Sequence, residues 1–112
     1  MAVRIPQAFV MSKGQKRKVS INCTDDLGSA LLEGTPTVDG PAGLSITDPQ
    51  VNTSEYTEKS SISGDTVAVG KAIQWRMVAP SDPGEHIVEF SCDTNSPDDD
   101  ETVSGEVKVI VT

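Results

Sequence analysis

The sequence predicts an all-β fold, an immunoglobulin-like antiparallel β-sandwich with an extended N-terminal arm, and three observations predict it. Apolar residues recur at every second position over several short stretches, the periodicity of a strand with one buried face. The chain is punctuated by 9 Gly, 7 Pro and many Ser, Thr and Asp, which make turns and suit long helices badly. Aromatic residues are only 4% of a chain that is 36% hydrophobic, so Val, Ile and Leu must fill the space between sheets. At 112 residues the chain is one domain, long enough to bury roughly two thirds of its unfolded surface without a metal or disulfide staple. No apolar run approaches the ~20 residues that a membrane-spanning helix requires.

Taken in order, the first clear strand is Lys18–Thr24. Val19, Ile21 and Cys23 form its apolar face, Ser20, Asn22 and Thr24 its polar one, and Asp25-Asp26 close it. Residues 25–33 carry the helical flavour of the chain: Asp25 or Asp26 can cap Leu27, Ala30 and Leu31, while Gly28 and Gly34 hold the helix to about two turns. Weaker strands are expected at 35–39, 43–47 and 66–69. Residues 48–64, rich in Ser, Thr and Glu, read as a long loop or edge. From Lys71 the inward set is Ile73, Trp75 and Met77, opposite Gln74 and Arg76, with Trp75 as the core anchor. Ser81-Asp82-Pro83-Gly84 is a turn. Beyond it Val88, Phe90 and Cys92 face inward and His86, Glu89 and Ser91 are expected outward, with Ile87 interrupting the polar face. The last strand sets Val103, Val107, Val109 and Val111 against Ser104, Glu106, Lys108 and Ile110.

Charge is distributed unevenly. The net charge is -8, yet residues 1–18 hold Arg4, Lys13, Lys16, Arg17 and Lys18 and no acidic residue. All 17 Asp and Glu lie beyond them, against Lys59, Lys71, Arg76 and Lys108. An anionic body repels the phosphate backbone, so nucleic acid is not an expected partner. The division suggests two parts, a basic N-terminal arm over 1–18 and a sandwich over 19–112. The arm also carries Ile5, Phe9, Val10 and Met11 beside Pro6. Either it covers an edge of its own sheet, or it leaves the body and docks on a neighbour. Its apolar residues are too interrupted for a secretory signal, which places synthesis in the cytoplasm and favours buried thiols at Cys23 and Cys92, with a bridge between them left open because both sit at similar places in their strands.

Reactive chemistry is sparse. His86 is the single histidine and has no Cys or carboxylate at ligand spacing, and no catalytic or phosphate-cradling motif occurs. No cofactor, zinc site or enzymatic reaction is expected. Asp93, Asn95 and the run Asp98–Glu101 offer hard oxygens, but the EF-hand pattern fails at Asp98 and Ser104. Whether that run meets a cation, a basic partner or water stays open.

The C-terminal half carries a family resemblance. Gly70-Lys-Ala-Ile-Gln-Trp-Arg-Met77, Asp82-Pro-Gly84, His86-Ile-Val-Glu-Phe-Ser-Cys-Asp-Thr94 and Gly105-Glu-Val-Lys-Val-Ile-Val111 resemble a family of small immunoglobulin-like virion structural proteins of tailed bacteriophages. The likeness covers roughly residues 66–112, and more loosely 17–47. His86 replaces the aromatic residue usual at the start of the long strand, and Pro97–Glu101 lengthen the hairpin. The resemblance implies a non-enzymatic structural protein of the virion, made in the host cytoplasm: a capsid cement or decoration protein, or alternatively a head–tail connector or tail-associated adaptor. Its partner would be the major capsid protein or another virion protein, with self-association as a further option and no role for membrane. On this reading Arg4, Lys13, Lys16, Arg17 and Lys18 pair with acidic patches of the shell, while Ile5, Phe9 and Met11 fill apolar grooves.

Overall fold

The computed structural model describes residues 2–4, 8–57, 66–96 and 102–112, with the backbone alone at 2–4, 8–9 and 25–26. Among these residues ten strands and one helical turn follow one another: β1 Ala2–Arg4, β2 Ala8–Met11, β3 Lys16–Asn22, α1 Thr24–Leu27, β4 Leu32–Asp39, β5 Ser45–Val51, β6 Tyr56–Thr57, β7 Thr66–Val67, β8 Ala72–Val78, β9 Gly84–Thr94 and β10 Thr102–Val111. The long strands stand where the period-two alternation is strongest, because only that spacing puts every apolar side chain on one face of the pleat.

Two sheets enclose the core. One has the order β1-β10-β9-β4 with β2 also on β10, the other the order β3-β8-β5, and β6 and β7 form a separate ribbon. This is an all-β sandwich. The N-terminal strands lie along the β10 edge of the first sheet, and β3 and β5 flank β8 in the second. Register places like faces together: Val88 opposite Val107 and Cys92 opposite Val103 in one sheet, Val19 opposite Trp75 and Ile21 opposite Ile73 in the other. Trp75 and Phe90 meet across the sandwich with ring centroids 6.0 Å apart, and both are buried. Burial of such a side chain contributes about 2 kcal/mol.

Several expectations are corrected. Of the two courses open to the arm over 1–18, its described strands take the first and cover an edge of their own sheet. β1 and β2 run parallel to β10, with Arg4 opposite Gly105 and Met11 opposite Val111, and Lys16, Arg17 and Lys18 open a strand that pairs with β8. The edge of β10 satisfies its backbone groups by taking those strands, which is the stronger demand on a chain with a free sheet edge. The helix is a single turn closed by Leu27 N–H to Cys23 O and Gly28 N–H to Thr24 O. Gly28 adopts φ 58° at its end, and Lys71 Nζ donates to the Gly28 and Ala30 carbonyls at 2.7 and 2.6 Å. His86 faces inward, not outward: it shares its face with Val88 and lies opposite the buried Val109. It is half-buried at the end of the sandwich, with Nε2 3.4 Å from Asp82 O. The supposed loop at 48–64 begins as strand, since β5 continues to Val51 through a bulge at Asp48-Pro49.

Candidate docking face

The outward side of the three-stranded sheet is built by alternation. Val19 and Ile21 turn into the core, so Lys16, Lys18 and Ser20 turn to solvent. Register lays Lys18 beside Arg76 and Lys16 beside Val78 on β8, and Thr47 of β5 completes the Lys18–Arg76 row. Ser20 Oγ accepts a hydrogen bond from the buried Gln74 Nε2 at 3.1 Å, fixing the polar row beneath the cations. At this end of the sheet lies a depression of about 310 Å³ lined by Lys16, Lys18, Thr47, Arg76 and Val78 together with Arg17 and Met77, a pair of the opposite parity. Four of the nine basic residues of an anionic chain therefore meet at one place.

Asp48 brings a carboxylate to it. Asp48 Oδ2 is 3.9 Å from Arg76 Nε, with both side chains largely exposed, and such a pair contributes little in water. Asp48 sits in the left-handed region at φ 55°, where an aspartate is tolerated better than most residues. Among the expected binding residues, Lys16, Arg17 and Lys18 thus converge, joined by Arg76, which the charge reading left with the anionic body. The signal was present: Arg76 is on the polar face of its strand, and only the pairing of that strand was hidden.

The other expected residues separate. Lys13 is exposed in the turn before β3, where Ser12 N–H donates to Gln15 Oε1 at 2.9 Å. Met11 is 0% exposed and belongs to the core, so it cannot fill a groove on another molecule. Ile5 lies outside the described residues, as do the side chains of Arg4 and Phe9. The run Asp98–Glu101 also lies outside them, and Asn95 is engaged at home, its Oδ1 accepting Leu31 N–H at 2.7 Å. No group of three or more His, Cys, Asp or Glu that can hold a metal occurs among the described residues. Cys23 and Cys92 are free thiols buried in the core. Burial pushes the Cys92 thiol above its ordinary value, so it stays protonated and inert at neutral pH.

No family model and no curated protein matches the chain. Among solved structures, it is similar to the cysteine protease inhibitor EhICP2 of Entamoeba histolytica, at a TM-score of 0.43 and 13% identity, over 95% of this chain and 86% of that one.

Proposed function

We propose that this protein is a non-enzymatic structural component of a bacteriophage particle, a cement or decoration protein that docks on the major capsid protein through its cationic sheet face. The observation that carries the reading is the gathering of Lys16, Arg17, Lys18 and Arg76 around one depression of a chain whose net charge is -8. Such a face selects acidic protein surfaces, and the anionic remainder disfavours nucleic acid. The resemblance of residues 66–112 to small virion proteins supplies the setting. A rigid face replaces the tethering arm as the gripping element. Many copies, each holding neighbouring shell subunits, then oppose outward pressure by avidity rather than by strong single contacts.

The test is co-sedimentation with phage capsids assembled without this protein. The native chain is expected to bind in many copies per shell. The triple variant Lys16→Glu, Lys18→Glu, Arg76→Glu, still folded by circular dichroism, is expected to bind at least tenfold more weakly. Equal binding by the two proteins would remove the docking face. A few copies confined to the neck would favour the adaptor role.

A further inference from the structure

The edge of the cationic face is an open strand, and its backbone phase can be read. Cys23 N–H donates to Lys71 O at 2.8 Å, and Ala79 N–H donates to Gln15 O at 2.9 Å. Both contacts continue the β3–β8 register in which Val19 faces Trp75. In an antiparallel pair the residues that exchange backbone hydrogen bonds alternate with those that do not. The odd residues 15 to 23 therefore bond to β8, and Lys16, Lys18, Ser20 and Asn22 turn N–H and C=O away from it. The far side of β8 agrees. Ala72, opposite Asn22, accepts from Asn52 N–H at 3.1 Å and donates to Asn52 Oδ1 at 3.0 Å, both on the β5 side.

No described strand pairs with this outer edge of β3. Three other strands, β10, β4 and β5, are managed differently. β10 is covered by β1 and β2. β4 is bulged between Glu33 and Thr37 around Gly34 and Pro36, and β5 between Thr47 and Gln50 around Asp48 and Pro49. β3 runs seven residues in unbroken register without proline or bulge. Among the described residues its protection is charge, and charge discriminates. A second β3 would set lysine against lysine, which is unfavourable, whereas a strand of carboxylates is attracted.

We propose that β3 is a strand-addition site for an extended acidic segment of a partner protein, which pairs with the open groups of Lys16, Lys18 and Ser20. Residues of that segment directly opposite Lys16 and Lys18 share their face, so alternate Glu or Asp side chains meet the two lysines and point toward Arg76. The intervening residues lie on the side of Val19 and Ile21 and are apolar. Backbone pairing supplies affinity, and alternation of charge supplies the register. The inference rests on the cationic face being the docking surface and specifies the shape of what docks.

Two variants and a probe separate the two claims. Ser20→Pro removes one open N–H and blocks pairing while leaving all four cations, and an edge strand accepts proline where its N–H faces solvent. Ser20→Ala is the control, since it loses the contact to Gln74 but keeps the N–H. The probe is a synthetic ten-residue peptide of alternating Glu and Val, observed by amide hydrogen exchange on the full chain. In the free protein, Lys18 and Ser20 amides should exchange at least a hundredfold faster than those of Val19 and Ile21. Peptide at saturation should slow Lys18 and Ser20 by at least tenfold and leave a scrambled, lysine-containing peptide without effect. Ser20→Pro should weaken capsid and peptide binding at least tenfold, with Ser20→Ala within twofold of native.

Protection of Val19 and Ile21 instead of their neighbours, equal exchange along β3 in the free protein, or capsid binding undiminished in a folded Ser20→Pro variant would each overturn strand addition. So would peptide-free self-association that Ser20→Pro abolishes, since the edge would then belong to a second copy. Loss of capsid binding in the charge variant with retention in Ser20→Pro would leave the docking face standing and remove the strand. Edge protection by the peptide without any capsid binding would do the reverse. If Ser20→Pro fails to fold, the exchange pattern of the native chain decides alone.

Discussion

Asn52 does more for the fold than its polarity suggests. It is 2% exposed, and its Oδ1 accepts from the N–H groups of Gly70, Lys71 and Ala72, at 3.1, 3.1 and 3.0 Å. Its Nδ2 donates to the Ser54 and Ala68 carbonyls. One amide thereby satisfies the backbone on both sides of the excursion that leaves the sheet after β5 and returns at β8. Leaving such groups buried and unpaired costs about 1–3 kcal/mol each. Some retain a second partner, as Lys71 N–H does with Ala68 O. Asn52→Ala is therefore expected to lower stability by about 3 kcal/mol in urea denaturation; a change under about 1 kcal/mol would show that water replaces the amide. Trp75 makes the contrasting case. Its indole N–H is buried without a hydrogen-bond partner among the described residues, and its large buried area compensates for the unmade bond.

Among the elements, β2 is the one whose role differs most from its sequence. A short apolar segment beside proline reads equally well as an edge cover or as a free arm, because its own residues are the same in both. The decision lies in the strand of Val109 and Val111, which presents an open edge about a hundred residues later in the chain. Lys108 to Val111 pair with Ala8 to Met11, and Thr112 N–H donates to Met11 O at 3.0 Å. A chain lacking residues 1–15 is thus expected to lose its cooperative thermal transition, and Met11→Ala to lose about 2–5 kcal/mol. If the truncated chain melts like the native one, β1 and β2 are ornaments and the free-arm reading returns. β3 shows the complementary lesson. Its apolar face was legible from Val19 and Ile21, but its start at Lys16 was not, since Arg17 has the parity of the core and an exposed side chain.

At the scale of the whole molecule, the sandwich is electrically two-faced. The three-stranded sheet presents Lys16, Lys18 and Arg76 outward. On the outward face of the other sheet Glu106 lies opposite Glu89, which lies opposite Asp39, and Lys108 Nζ meets Glu85 Oε1 at 3.5 Å. Like charges directly across strands destabilise a sheet slightly. Such a charge distribution orients the protein as it approaches an acidic surface and speeds the encounter. Raising salt from about 0.05 to about 0.5 M is accordingly expected to slow association with the acidic partner at least tenfold, with a smaller change in dissociation. Stopped-flow mixing reads both rates. An association rate indifferent to salt would place recognition in apolar or backbone contacts alone.

The sequence by itself determined the class of fold, the long strands and most of the core, because the two-residue period of a strand is a local property that Val88, Phe90, Cys92 and the alternating valines of β10 write out directly. It also determined that the cations are few and unevenly spaced. Only the tertiary structure decided that the N-terminal strands close the β10 edge, that His86 faces inward, that Arg76 joins Lys16 and Lys18, and that the outer edge of β3 pairs with no described strand. Each of those depends on which strand lies beside which, and strand pairing is set by contacts between segments far apart in the chain, where no local periodicity reaches.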